Sequence, residues 1–176
     1  FPKVVFLSED ESEDYLYYTR KMAPYVQILD RGGKLSPSQK TNFTKFAGLR
    51  SRLMASASSK LIDLEKMLKT RKASKEMTLF YVGDGLAGKA TKDREIKQIT
   101  AVTKMLDKHN WKSRKFTYKE NAAEREEILS DFRTNKIDAL VAIRCLDEGI
   151  DIPACKEAHL LASSRNERQF VQRRGR

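Results

Sequence analysis

The chain has 176 residues, 34% of them charged and 40% hydrophobic, with a net charge of +11. That length buries one core with room for an appendage, and the composition is that of a soluble, globular, basic protein. No apolar run approaches the ~18 residues of a membrane span, and two cysteines, Cys145 and Cys155, exclude a disulfide scaffold or a Cys-rich zinc site.

The first stretch, Phe1-Pro2-Lys3-Val4-Val5-Phe6-Leu7, is too short for a signal peptide. Ser8-Glu9-Asp10-Glu11 reads as a capping box. Tyr15, Tyr18 and Met22 then share a helical face that Pro24 ends or kinks. Asp30 to Gln39, with Gly32-Gly33 and Pro37, reads as a loop. Phe43, Phe46, Ala47, Leu53 and Met54 fit a second helix. Leu61, Leu64 and Leu68 fit a third, capped by Ser58 or Ser59.

From residue 76 the rhythm changes. Thr78 to Val82 is a buried-strand candidate ending at Gly83, and Ile96, Ile99, Val102 and Leu106 mark a helix. Lys115-Phe116-Thr117-Tyr118 reads as a strand. Asn121-Ala122-Ala123-Glu124 caps a helix carrying Ile128, Leu129 and Phe132. Ala139 to Ile143 and Ala158 to Ala162 are further strands. Strands alternating with helices predict an α/β fold with a mainly parallel sheet, preceded by a helical N-terminal segment. The division is a mainly helical lead-in over 1–75, packing on a sheet domain over 76–176. Residues 1–75 carry a net +7 and residues 76–176 a net +4.

Ligands of such sheets sit beyond the carboxyl ends of the strands. That rule selects Gly83-Asp84-Gly85, Arg144 to Pro153 and Ser163 to Arg176. The stretch Gly83 to Thr91 nearly matches a phosphate-binding loop. However, Ala90 stands where the Mg²⁺-binding hydroxyl belongs, and the strand at 139–143 runs into Arg144 rather than a magnesium-binding Asp. A Gly-rich turn is the plainer reading. His109 and His159 lack ligand spacing, so no metal site is expected. Trp111 and Tyr118 read as core aromatics ahead of base-stacking platforms.

Thr78 to Val82, Asp147-Glu148-Gly149-Ile150-Asp151-Ile152-Pro153 and Gln172-Arg173-Arg174-Gly175-Arg176 occur in a fixed order. In that order they resemble motifs IV, V and VI of the second RecA-like domain of superfamily 2 DEAD/DEAH-box-like helicases and translocases. The Asp-Glu-Gly-Ile-Asp-Ile-Pro form is similar to the repair-helicase and restriction-translocase branch. The resemblance covers residues 76–176 well and 1–75 only in style.

It implies a RecA-like three-layer sandwich closing one wall of an ATP cleft. Arg176 aligns with the arginine finger, which stabilises charge on the transferring phosphoryl group, and Gln172 would orient the γ-phosphate or Arg176. Gly149 would allow close backbone approach, and Asp151 would bind the ribose or couple the cleft to nucleic acid. Arg173 is assigned to the nucleotide site, with a structural ion pair as its alternative. Asp151 also suits a turn cap, and Arg176 a solvated terminal charge. Nucleic acid would cross the strand ends near Gly83, Thr117, Arg125 and Arg144. Arg125 equally suits an i,i+4 partner or an ion pair to Asp131 or Asp147. Arg144 replaces the Thr-Asp pair of many relatives, and motif VI stops short of its usual last arginine.

The chain has no DEAD or DEAH tetrad and no intact phosphate loop. Most of the Mg²⁺ and γ-phosphate machinery is therefore expected on a first RecA-like domain of the same polypeptide, and the fragment alone is expected to be inactive. The expected function is the C-terminal motor domain of an ATP-dependent helicase or translocase, with DNA favoured as the nucleic acid and a cytoplasmic, bacterial or phage-like setting. The alternatives are a stand-alone P-loop NTPase using Gly83 to Thr91, or an inactive nucleic-acid-binding domain.

Overall fold

The computed structural model describes residues 4–70, 75–83, 89–143 and 155–161, with 89–97 described for the backbone alone. Three helices lead: α1 (Glu9–Asp30), α2 (Pro37–Ala55) and α3 (Ser58–Thr70). Strands and helices then alternate through β1 (Thr78–Tyr81), α4 (Lys89–Lys108), β2 (Ser113–Phe116), α5 (Ala122–Arg133), β3 (Ala139–Ala142) and β4 (Glu157–Leu160). The sheet order is β2-β3-β1-β4, and every pairing is parallel, with Leu79 opposite Leu140 and Ala158.

Both faces of the sheet are covered, which is why β1 and β3 are buried along their whole length. On one face Phe80, Val82 and Val141 meet Leu64 and Leu68 of α3 and Ile99, Val102 and Leu106 of α4. On the other, Leu79, Tyr81, Phe116 and Leu140 meet Ile128, Leu129 and Phe132 of α5. The period-two alternation of the strands thus divides one run of apolar residues between two cores. The result is the expected three-layer α/β sandwich, with the helical segment before it.

Local chemistry sets the helix ends. Ser8 and Asn121 form the expected capping boxes with Glu11 and Glu124. Five details differ from the sequence expectations. First, α1 runs through Pro24 to Asp30. Pro24 and Arg20 are both exposed, so the carbonyl that loses its amide partner faces water. Tyr25, beyond the proline, packs edge-on against Phe43 of α2 at 6.4 Å and holds the last turns in place.

Second, the loop ends at Ser36, whose side chain caps α2 with Pro37 as its first residue, a position that tolerates the missing amide. Gly32, at φ 76°, makes the left-handed turn that follows α1. Third, neither Ser58 nor Ser59 is an N-cap. Ser58 is already helical, and its amide donates to Glu11 of α1 at 2.8 Å. Fourth, β2 covers Ser113–Phe116. The Phe116 carbonyl accepts from the Ile143 amide at 3.1 Å, but the Thr117 amide turns to Glu120 and leaves the ladder. Fifth, Tyr118 is 47% exposed, so it is not a core residue. Trp111 is buried as expected, edge-on against Phe80 at 5.8 Å.

Candidate functional site

Four parallel strands place their carboxyl ends along one edge. In sheet order these are Thr117 after β2, Ile143 after β3, Gly83 after β1 and Leu161 after β4. Thr117 and Arg125 are brought together: the Arg125 Nη2 donates to the Thr117 carbonyl at 3.3 Å. Gly83 lies two strands away, about 10 Å at ordinary strand spacing. Gln172, Arg173, Arg176, Gly149, Asp151 and Arg144 lie outside the described residues, as do Asp147 and Cys145. Most of the Gly83–Thr91 stretch does too, although α4 does begin at Lys89.

The backbone donors of this edge are held by side chains. Glu120 accepts from the Thr117 amide at 2.6 Å, and the Thr117 hydroxyl donates to the same carboxylate at 2.9 Å. Glu124 accepts from the Asn121 amide at 2.9 Å at the start of α5. Carboxylates therefore already sit where a helix N-terminus and a strand end offer amides to an anion. The Asp131 carboxylate, a sequence candidate for Arg125, pairs with Lys136 at 3.2 Å.

Gly83 is tied as well. Its amide donates to the Gln98 Oε1 at 3.1 Å, and the Gln98 Nε2 donates to the Ala55 carbonyl at 3.3 Å. A phosphate loop begun at Gly83 would need that amide. The same Ala55 carbonyl accepts from the Lys60 Nζ at 3.4 Å, and Lys60 also donates to the Leu161 carbonyl at 2.7 Å. Burial pulls the Lys60 ammonium below the usual lysine range. Lys60 and Gln98 thus join the end of α2 to the exits of β1 and β4.

Sequence reasoning did not single out Glu120, Gln98 or Lys60 for the edge. Gln98 carried a signal, being a polar residue four positions from Val102 on an apolar helical face. Glu120 carried one too, in the T-x-x-E spacing from Thr117, whereas Lys60 carried none, because its Leu161 partner lies 101 positions away. Among the described residues, no group of three or more His, Cys, Asp or Glu side chains is placed to hold a metal ion. Burial raises the Cys155 thiol above its ordinary value, so it is a poor nucleophile.

Comparison with known proteins identifies the family. The family described as "Helicase conserved C-terminal domain" matches residues 59–176. The chain belongs to that family. This helicase C-terminal domain is the second RecA-like domain of a superfamily 2 helicase or translocase. It is 43% identical over 60 residues to the DNA 3'-5' translocase XPB2 of Sulfurisphaera tokodaii, covering 34% of this chain and 14% of that protein. It is 31% identical over 125 residues to UvrABC system protein B of Nitrosococcus oceani, covering 68% of this chain and 17% of that one. The domain therefore spans under a fifth of the length of these two curated relatives. In fold it is similar to the Sulfolobus solfataricus SWI2/SNF2 ATPase C-terminal domain, with TM-score 0.64, 10% identity and coverage of 88% of this chain and 68% of that one. The family match begins within α3, the helix whose Leu64 and Leu68 enter the core of the sheet.

Proposed function

We propose that this helicase C-terminal domain forms one wall of an ATP cleft and part of a nucleic-acid track in an ATP-dependent helicase or translocase, with DNA as the nucleic acid. The family match across residues 59–176 carries the reading. The name of the Sulfurisphaera tokodaii relative, a DNA translocase, supports DNA. The other wall is a first RecA-like domain of the same polypeptide. Bound ATP with Mg²⁺ supplies the phosphoryl-transfer chemistry, and the first domain holds most of the metal ligation.

The role of this chain is geometric. Gly149 and Asp151 follow β3 in the chain, and Gln172, Arg173 and Arg176 follow β4. Rigid parallel strands suit that role because a finger displaced by an ångström loses much of its effect. At the track, Thr117 and Arg125 form one adjacent pair. A phosphate there exchanges with the Glu120 carboxylate rather than filling an open place.

The test joins this domain to its first RecA-like partner and changes Arg176→Ala. Turnover is expected to fall by about a thousandfold or more, as for other arginine fingers, while ATP binding is kept. Unchanged turnover refutes the assignment.

A further inference from the structure

The α1–α2 pair is an antiparallel hairpin whose helices pack chiefly on each other. Its hydrogen bonds to the sheet domain lie at its base, from Ser58 to Glu11 and from Gln98 and Lys60 to Ala55. With 22 residues in α1, it extends about 33 Å at ~1.5 Å per residue.

Charge is sorted along this arm. Glu9, Asp10, Glu11, Glu13 and Asp14 cluster at the base, with Arg50 and Arg52 at the end of α2 beside them. The distal end carries Arg20, Lys21, Arg31, Lys34, Lys40 and Lys45 against a single acid, Asp30. All six cations are exposed.

What marks the six is their concentration at one end of the rod with a single acid among them. Among the described residues, none of them is in an ion pair. Elsewhere five cations do have carboxylate partners: Lys69 and Lys108 pair with Glu65, Arg133 with Glu126, Lys136 with Asp131 and Lys156 with Glu76. Between Lys21 and Arg31 the arm covers about 15 Å, the rise of four to five base pairs. Cations without a carboxylate partner, set on a rigid rod of that length, match the repeating charge of a sugar–phosphate backbone.

We propose that the distal end of the α1–α2 hairpin is a nucleic-acid contact separate from the strand-end track, binding the sugar–phosphate backbone without reading bases. The inference rests on the nucleic-acid reading above and adds a second place of contact.

The experiment measures binding of the 176-residue chain to a fluorescent 24-base-pair duplex and to a single strand of the same length, across a salt series. The altered protein carries Arg31→Gln, Lys34→Gln and Lys40→Gln. A control carries Lys66→Gln, Lys104→Gln and Lys112→Gln, also exposed lysines. Far-UV circular dichroism confirms that both stay folded. The hairpin variant is expected to bind at least about tenfold more weakly, and its slope of log K against log salt should be shallower by about 0.9 for each phosphate no longer neutralised. The control should change by less than about threefold. Equal weakening in both variants overturns the proposal in favour of diffuse attraction. Unchanged affinity and slope in the hairpin variant overturn it while leaving the nucleic-acid reading intact. No binding by the unaltered chain at low salt overturns both.

Discussion

Gln98 is 5% exposed, and both ends of its amide are engaged. Replacing it by leucine fills similar volume but leaves the buried Gly83 amide without an acceptor. An orphaned buried donor costs about 1–3 kcal/mol. For a chain of this size each kcal/mol moves the melting midpoint by about 2–4 °C, so Gln98→Leu should lower Tm by about 2–12 °C. The Ala55 carbonyl is not orphaned by this change, because the Lys60 Nζ still reaches it. In Lys60→Met, Gln98 holds the same carbonyl, and only Leu161 is deprived of its partner.

The Ala55 carbonyl is deprived of both donors only in the double variant. That variant should therefore cost more than the sum of the single changes, by about 1 kcal/mol or more, the range seen for residues sharing a partner. Urea unfolding of the four proteins, with m-values compared to exclude a change in the denatured state, gives the coupling directly. Additivity within about 0.3 kcal/mol would mean that Ala55 finds another donor, and would sink the idea that these two side chains act as one tie. A Tm for Gln98→Leu within about 1 °C of the parent would sink the Gly83 argument as well.

Asn121→Ala removes the side chain that accepts from the Glu124 amide at 3.0 Å. It should cost about 1 kcal/mol in urea unfolding, whereas a change below about 0.3 kcal/mol would show that α5 does not depend on its cap. Burial pushes the Glu11 carboxyl up, but hydrogen bonds from Ser8 and Ser58 outweigh it and set its pKa below the ordinary 4.5. Since the folded pKa is the lower one, this stabilisation is full above pH 4.5 and is lost as pH falls through the folded value. The stability difference between the parent and Glu11→Gln should shrink over that acidic window, and a constant difference from neutral to acidic pH would contradict the assignment.

What could be read without a structure was local or periodic. The capping boxes at Ser8 and Asn121 are legible because donor and acceptor lie three residues apart. The strands at Thr78 and Ala139 stand out because a strand covered on both faces is a continuous apolar run. The strand at Ser113–Phe116 begins and ends earlier than its residue pattern suggests, since only Phe116 is buried, no alternation marks it, and Glu120 captures the Thr117 amide. Pro24 does not end α1 because a proline on an exposed face removes one hydrogen bond without breaking a helix packed on a neighbour. The ties from Glu11 to Ser58, Gln98 to Ala55 and Lys60 to Leu161 join residues 47, 43 and 101 positions apart, and no sequence window contains them. At the candidate site, order and spacing of motifs picked out the family. The hydrogen bond of the Gly83 amide to Gln98 came only from the fold.

That hydrogen bonding changes how charge should be weighed. At the strand edge the donors near α5 are met by Glu120 and Glu124, and the Gly83 amide by Gln98. A phosphate reaching Thr117 competes with a carboxylate held at 2.6 Å, so contact there exchanges one anion for another and releases little counterion. The hairpin tip has no such internal competitor among the described residues. Any phosphate bound there displaces only mobile ions, and its binding carries the full salt dependence of each contact. The part of the salt slope lost in the hairpin variant measures the tip. A positive charge summed over the whole chain cannot separate the two, since the carboxylates that temper the edge and the acids at the hairpin base enter the same total.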